Sequence, residues 1–220
     1  MSRSVSTRPR GASRFARRVA VLAAAAGLAV LATACGSGSG GLTAVQLGKP
    51  EAIPAQTFTD TAGQPYDLQQ QAKGKLTLVY FGYTNCPDVC PTTMADIGTA
   101  LRSLPASTQK KVQVVFVTSD PGRDTPPKIR AWLDHFDQGL ANPFVGLRTT
   151  VPAVDAFGQK LGIPLEPPVI KQDGTEDVYE VTHGAAVLIF APKTATADYT
   201  WLPGATAQQY AHDIKHFVSS

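Results

Sequence analysis

A chain of 220 residues that is 43% hydrophobic holds one ordinary domain with a real core and leaves little room for two. The formal charge of +3 misleads, because Arg3, Arg8, Arg10, Arg14, Arg17 and Arg18 all precede residue 35 and no acid does. Setting those six aside leaves 14 basic residues against 17 acidic ones, which argues against a basic domain with a nucleic-acid partner.

Met1 to Arg18 is Arg-rich, and Val19 to Ala34 is an apolar run of 16 residues. A membrane-spanning helix needs about 20, so the run suits the core of a secretory signal. It ends in Leu31-Ala-Thr-Ala-Cys35, followed by Gly36-Ser-Gly-Ser-Gly-Gly41. Small residues before a cysteine resemble a bacterial lipobox, with Ala32 where the usual Leu stands and Leu31 one place further out. The expectation is a signal peptide over 1–34 and a lipidated Cys35 opening a flexible linker over 35–50. Residues 51–220 then form a domain tethered to the extracytoplasmic face of the cell membrane. The alternative is a plain signal peptide or an uncleaved anchor with Cys35 as a thiol. Arg17-Arg18 lacks a fuller twin-arginine pattern, which leaves the export route open. Gly36, Gly38 and Gly41 fit G-x-G-x-x-G, but no strand precedes them and no helix follows, so the match carries no weight.

After a lead-in bearing Pro50 and Pro54, Leu76–Phe81 reads as a buried strand. Pro91–Leu104 reads as a helix with Pro91 in its first turn and Pro105 beyond its end. Val112–Val117 is a second buried strand. A helix follows from Thr125-Pro126-Pro127 to about Phe136, then a short strand near Phe144–Leu147 and a helix over Val151–Leu161. The flanks of Gln172-Asp-Gly174 read as a hairpin or excursion. Ala185–Phe190 is the third strong strand, Tyr199–Trp201 pairs beside it, and Thr206–Val218 closes the chain as a helix. Continuous apolar strands separated by helices predict one α/β domain whose sheet is covered on both faces.

With Cys35 assigned to the lipid, Cys86 and Cys90 remain, between the first strong strand and its helix. A structural disulfide four residues apart would close a very small loop and constrain the unfolded chain little. At a helix N-terminus, partial positive charge favours the thiolate, which is both a nucleophile and a soft metal ligand. The spacing is C-x-x-x-C, not the C-x-x-C of thiol–disulfide enzymes, and two cysteines do not complete a closed four-ligand zinc site. Among the four histidines, His135 sits late in a helix and reads as a surface or dipole partner. His212 and His216 share a helix face but lack the Glu of H-E-x-x-H, so they read as a solvated face. His183, in Val181-Thr-His-Gly184 just before a strand, lies on a loop that can face the cysteine loop of such a sheet; the bland reading is a satisfied loop histidine.

Three motifs in order, F-G-Y-T-N-C-P-D-V-C-P after a strand, V-x-F-V-T-S-D-P-x-R-D-T-P, and V-T-H-G before a strand, resemble the Sco/SenC family. Its members are copper-binding proteins that assist assembly of the binuclear copper centre of cytochrome c oxidase. The resemblance covers roughly residues 50–220 and implies a thioredoxin-like fold with an added hairpin. It implies copper held by Cys86, Cys90 and His183, with Asp120 of the D-P-x-x-D segment as a supporting acid. The nonfunctional readings are Asp120-Pro-Gly as turn chemistry and Asp124-Thr-Pro as a helix start. Two thiolates suit Cu(I) and an added imidazole suits Cu(II). The family commonly has V-D-H-S where this chain has Val181-Thr182-His183-Gly184, so a negative charge beside the implied ligand is missing. Thioredoxin-like oxidoreductases carry a cis-proline before the matching strand; no proline lies between Pro168 and Pro192, which favours metal binding over general disulfide exchange.

The leading expectation is thus a copper-binding assembly factor, acting on the copper-bearing subunit of the oxidase, with another copper chaperone as a possible donor. The alternative is a thiol–disulfide oxidoreductase, with Cys86 and Cys90 as a redox-active disulfide that keeps the target's cysteines reduced. A peroxidase of the same broad fold needs a single activated cysteine, which the paired cysteines argue against. There is no G-x-x-x-x-G-K-[ST], H-E-x-x-H or G-x-S-x-G motif.

Overall fold

The computed structural model describes residues 41–163, 165, 169–171, 178–180 and 184–219. Its centre is set by three strands that read as continuous apolar runs in the sequence. These are β4 (Leu76–Gly82) and β5 (Val112–Thr118), buried at every position, and β9 (Val187–Phe190). β4 and β5 run parallel, joined by α2 (Val89–Arg102) and the short α3 (Ala106–Gln109). α4 (Pro126–Asp137) carries the chain from β5 to the parallel β6 (Val145–Arg148). α5 (Val151–Lys160) follows.

The period-2 alternation of strand side chains divides these apolar runs between two cores. Leu76, Leu78 and Tyr80 of β4, with Val112, Val114 and Phe116 of β5, face one layer with Met94, Ile97 and Leu101 of α2. Ile129 and Leu133 of α4 pack in that same layer. Val79, Phe81, Val115 and Val117 face the other layer, with Val154 and Phe157 of α5. A one-residue slip in β4 would exchange the two sets, which is why its register is tightly specified. The close approach of α2 to the end of α4 depends on Gly98, since a Cβ there would lie 2.3 Å from the Phe136 carbonyl oxygen.

The α/β class, the covering of both faces and the order of the central elements agree with the sequence expectation. The lead-in differs. β1 (Val45–Ala52), β2 (Thr57–Asp60), β3 (Pro65–Asp67) and the short α1 (Leu68–Gln71) were not anticipated. β1 begins inside the stretch expected to be linker. With β10 (Thr196–Trp201) they complete an eight-stranded sheet ordered β1-β10-β9-β4-β5-β6-β2-β3. The anticipated hairpin is present as β7 (Val169–Lys171) paired antiparallel with β8 (Val178–Glu180).

α6 (Ala207–Ser219) closes the chain, and its buried Asp213 fastens three segments. Asp213 accepts from the Ala44 backbone N–H at 2.8 Å and the Trp201 indole at 2.9 Å, and pairs with His212 Nδ1 at 2.9 Å. Burial pushes its carboxyl up, but the His212, Trp201, Ala44 and Thr43 hydrogen bonds outweigh that and hold it below the usual carboxylate range.

Candidate metal centre

The C-terminal end of β4 hands the chain to a short loop and then to α2, so Cys86 lies in the loop and Cys90 in the first turn of the helix. Asp88 stands at the N-cap, yet its side chain makes no capping hydrogen bond. The Cys90 backbone N–H donates instead to Cys86 Sγ at 3.4 Å. One cysteine thus caps the helix that carries the other, and the two side chains are held together by the local fold. Both are buried, at 6% and 0% exposure, and no disulfide joins them.

The surroundings are close-packed. Gly82 ends β4 where a Cβ would lie 2.9 Å from Phe116, 2.9 Å from Tyr80 Cε1 and 3.0 Å from Cys90 Sγ. Any larger residue would therefore press on the sulfur. Tyr80 is fully buried, and its hydroxyl has no hydrogen-bond partner among the described residues. Burial and then the neighbouring Cys90 hold the Tyr80 phenol far above its ordinary value.

For Cys90 the helix-terminus charge expected to favour the thiolate is opposed by burial. Burial pushes the Cys90 thiol up to about 12, helped by Cys86, while Tyr80 and the Tyr83 backbone pull the other way without winning. In this close-packed setting, desolvation of the anion is the largest influence on the thiol. The proton on Cys90 is one that a thiophilic metal ion can replace. Burial, followed by Cys86 and Cys90, also raises the Tyr83 phenol, against the opposing charge of Arg123.

Asp124-Thr-Pro does open a helix, as read in the sequence, but the Asp124 side chain serves elsewhere. Thr125 is the N-cap of α4, followed by Pro126. The fully buried Asp124 carboxylate reaches back to the cysteine loop, accepting from the Thr84 backbone N–H at 3.0 Å and from the Thr84 hydroxyl. It also accepts from Thr118 at 2.7 Å. The Asp120 carboxylate is buried too and pairs with Arg123 Nε. Arg123 in turn lies near enough to Tyr83 to oppose the rise of its phenol.

His183 and Cys35 lie outside the described residues. β9, which begins shortly after His183, runs antiparallel to β4 with Val187 opposite Tyr80. Gly184 packs so tightly on Ile163 that a Cβ would sit 2.2 Å from its Cγ2. The other histidines keep their bland readings: His135 Nδ1 lies 3.1 Å from the Trp132 carbonyl, and His212 is half exposed beside Asp213. Among the described residues, no group of three or more His, Cys, Asp or Glu side chains gathers as a metal site. A cluster larger than the cysteine pair would therefore have to draw on residues beyond them.

Parallel βαβ units extended by antiparallel strands, with a paired-cysteine loop at the end of the central strand, define a thioredoxin-like domain. The SCO1/SenC family profile matches residues 45–219, and the chain belongs to that family. A Stutzerimonas stutzeri protein, named provisionally as copper-binding, is 32% identical over 146 residues, 66% of this chain and 67% of its own. Apo Sco1 of Thermus thermophilus has a TM-score of 0.68 at 27% identity, covering 82% of this chain and 99% of that one. Bradyrhizobium japonicum ScoI, solved with copper bound, has a TM-score of 0.60 at 28% identity, covering 78% and 99%. The alignments span only 49% and 35% of the mitochondrial SCO1 and SCO2 proteins of Saccharomyces cerevisiae.

Proposed function

We propose that this protein binds copper through Cys86, Cys90 and His183, and delivers it to, or prepares, the binuclear copper centre of cytochrome c oxidase. The observation that carries the reading is the buried cysteine pair, with Cys86 capping the helix of Cys90, in a chain of the SCO1/SenC family. Two adjacent sulfurs shielded from water suit Cu(I), and an imidazole from the loop before β9 suits Cu(II). The register of β9 on β4 supports that third ligand, because the backbone entering β9 runs at the cysteine end of the sheet. The orphaned Tyr80 hydroxyl and the protonated Cys90 thiol fit a site completed by a metal ion.

In this reading the residues act as a holder. Cys86 and Cys90 give up their protons to accept the metal, and Asp124 keeps their loop in place. Asp120 orients Arg123 beside Tyr83. The partners are the oxidase's copper-bearing subunit and a donor chaperone. A lipid on Cys35 would keep the domain at the extracytoplasmic face of the cell membrane, where a shared surface raises the encounter rate. Among the described residues, no helix is long and apolar enough to cross a membrane.

The alternative, a thiol–disulfide reductase for the target's cysteines, requires an attacking thiolate. The Cys90 thiol, held near 12, serves that role poorly and leaves it to Cys86. The experiment titrates the reduced protein with Cu(II) under argon, following thiolate-to-copper absorption and counting bound metal in wild type, Cys90→Ser and His183→Ala. One retained equivalent, lost with Cys90→Ser and shifted with His183→Ala, is the expected result. Thiol oxidation with no retained copper in wild type would overturn the reading in favour of the reductase.

A further inference from the structure

We infer that the Tyr80 hydroxyl is the hydrogen-bond donor for the sulfur of Cys90 when that sulfur is bound to copper, making Tyr80 a positioning residue of the site. The inference rests on the reading of Cys90 as a copper ligand and adds to it a residue that is not a ligand.

The geometry is close. Tyr80 Cε1 and Cys90 Sγ both lie within 3.0 Å of the single point where a Gly82 Cβ would stand, so the ring edge and the sulfur border the same small space. Neither group has room to move away. Tyr80 is fixed on β4 between the β5 and β9 strands, with its ring centroid 6.4 Å from that of Phe116. Cys90 is fixed in the first turn of α2. Buried hydroxyls almost always find a partner, and an exception calls for an explanation. Here the hydroxyl sits in the β4–α2 core, unpartnered among the described residues.

The chemistry of sulfur supplies that explanation. A thiol sulfur is a weak acceptor, so the hydroxyl gains little from it. A thiolate bound to a cation is a much better acceptor, and bonds to charged groups are roughly twice as strong as neutral ones. A phenol hydroxyl is a hydrogen-bond donor, and its proton is what it can offer to the sulfur. Gly82 is what makes the arrangement possible, because a side chain there would force the ring and the sulfur apart. A donor on a copper-bound sulfur draws electron density from it and thereby favours the reduced metal.

The test uses wild type, Tyr80→Phe, and protein carrying 3,5-difluorotyrosine at position 80, all loaded with one equivalent of Cu(II). Tyr80→Phe should move the thiolate-to-copper band to longer wavelength and weaken Cu(I) binding by roughly 5- to 20-fold, the worth of one such bond. Difluorotyrosine, a stronger donor only slightly larger than tyrosine, should move the band to shorter wavelength, and it keeps the test alive should Tyr80→Phe fold poorly. Metal-free Tyr80→Phe should melt close to wild type, because its hydroxyl makes no full hydrogen bond among the described residues. Tyr66→Phe, whose hydroxyl takes a hydrogen bond from Gln113 at 2.8 Å near the sheet edge, should leave the band in place. A band present in wild type but unmoved in both position-80 variants overturns this inference alone. No band in wild type overturns the assignment of Cys90 as a ligand and this inference with it.

Discussion

Asp124 and Asp213 are both fully buried carboxylates that accept several hydrogen bonds from segments distant in the chain. Asp213 gathers the start of the domain, the end of β10 and its own helix, and no part of the cysteine site touches it. Asp124 gathers the loop after β4 and the end of β5, and the loop it grips is the one that carries Cys86. The same device therefore serves two ends. At one pole it holds the fold shut, and at the other it holds the loop of a buried cysteine pair in place. What distinguishes them is not the carboxylate but which backbone it immobilises.

Removing each carboxylate separates the two roles. Asp124→Ala leaves the Thr84 and Thr118 donors without their acceptor and should cost about 3–4 kcal/mol. Its urea midpoint should drop, and copper affinity should fall with it as the cysteine loop loosens. Gly82→Ala should cost about 2 kcal/mol by crowding Tyr80, Phe116 and the Cys90 sulfur, and should disturb copper absorption more than its stability loss suggests. Asp213→Asn should cost about 1–2 kcal/mol and leave copper affinity unchanged. If that variant weakened copper binding as much as Asp124→Ala does, the division between the two poles would be wrong.

The smallest effect concerns acid. The folded carboxyl of Asp213 lies below its ordinary value of 3.8, so the native state binds its proton less readily than the unfolded chain does. Its contribution is fully present above the ordinary value and disappears as pH falls through the lower folded one. Denaturation midpoints measured from pH 6 down to pH 2 should therefore decline less steeply in Asp213→Asn than in wild type at the acid end.

The interior was readable from sequence because its signals are local. Leu76–Phe81, Val112–Val117 and Ala185–Phe190 are uninterrupted apolar runs, and Pro91, Pro105 and Pro126 punctuate the helices around them. β1 and β2 were not readable. β1 contains Gly48 and Pro50 and is mostly exposed, and only Phe58 of β2 is buried. Their order comes from pairing with β10 and β6, far away in the chain. At the site, residue types and spacing pointed to Cys86 and Cys90, but not to how the fold treats them. Asp124-Thr-Pro matches a helix start so well that its grip on Thr84, 40 residues upstream, leaves no local trace. The upward push on the Cys90 thiol is likewise a product of burial, which spacing does not encode.

The Asp213 latch also decides where mechanical load enters the molecule. Tension on the chain ahead of Ala44 would first meet the Ala44–Asp213 hydrogen bond and then the β1–β10 ladder. β10 and β9 stand between β1 and β4, a separation of roughly 14 Å at the usual strand spacing. A pull from that side would be absorbed at the rim of the sheet before it could strain the loop that holds the two sulfurs.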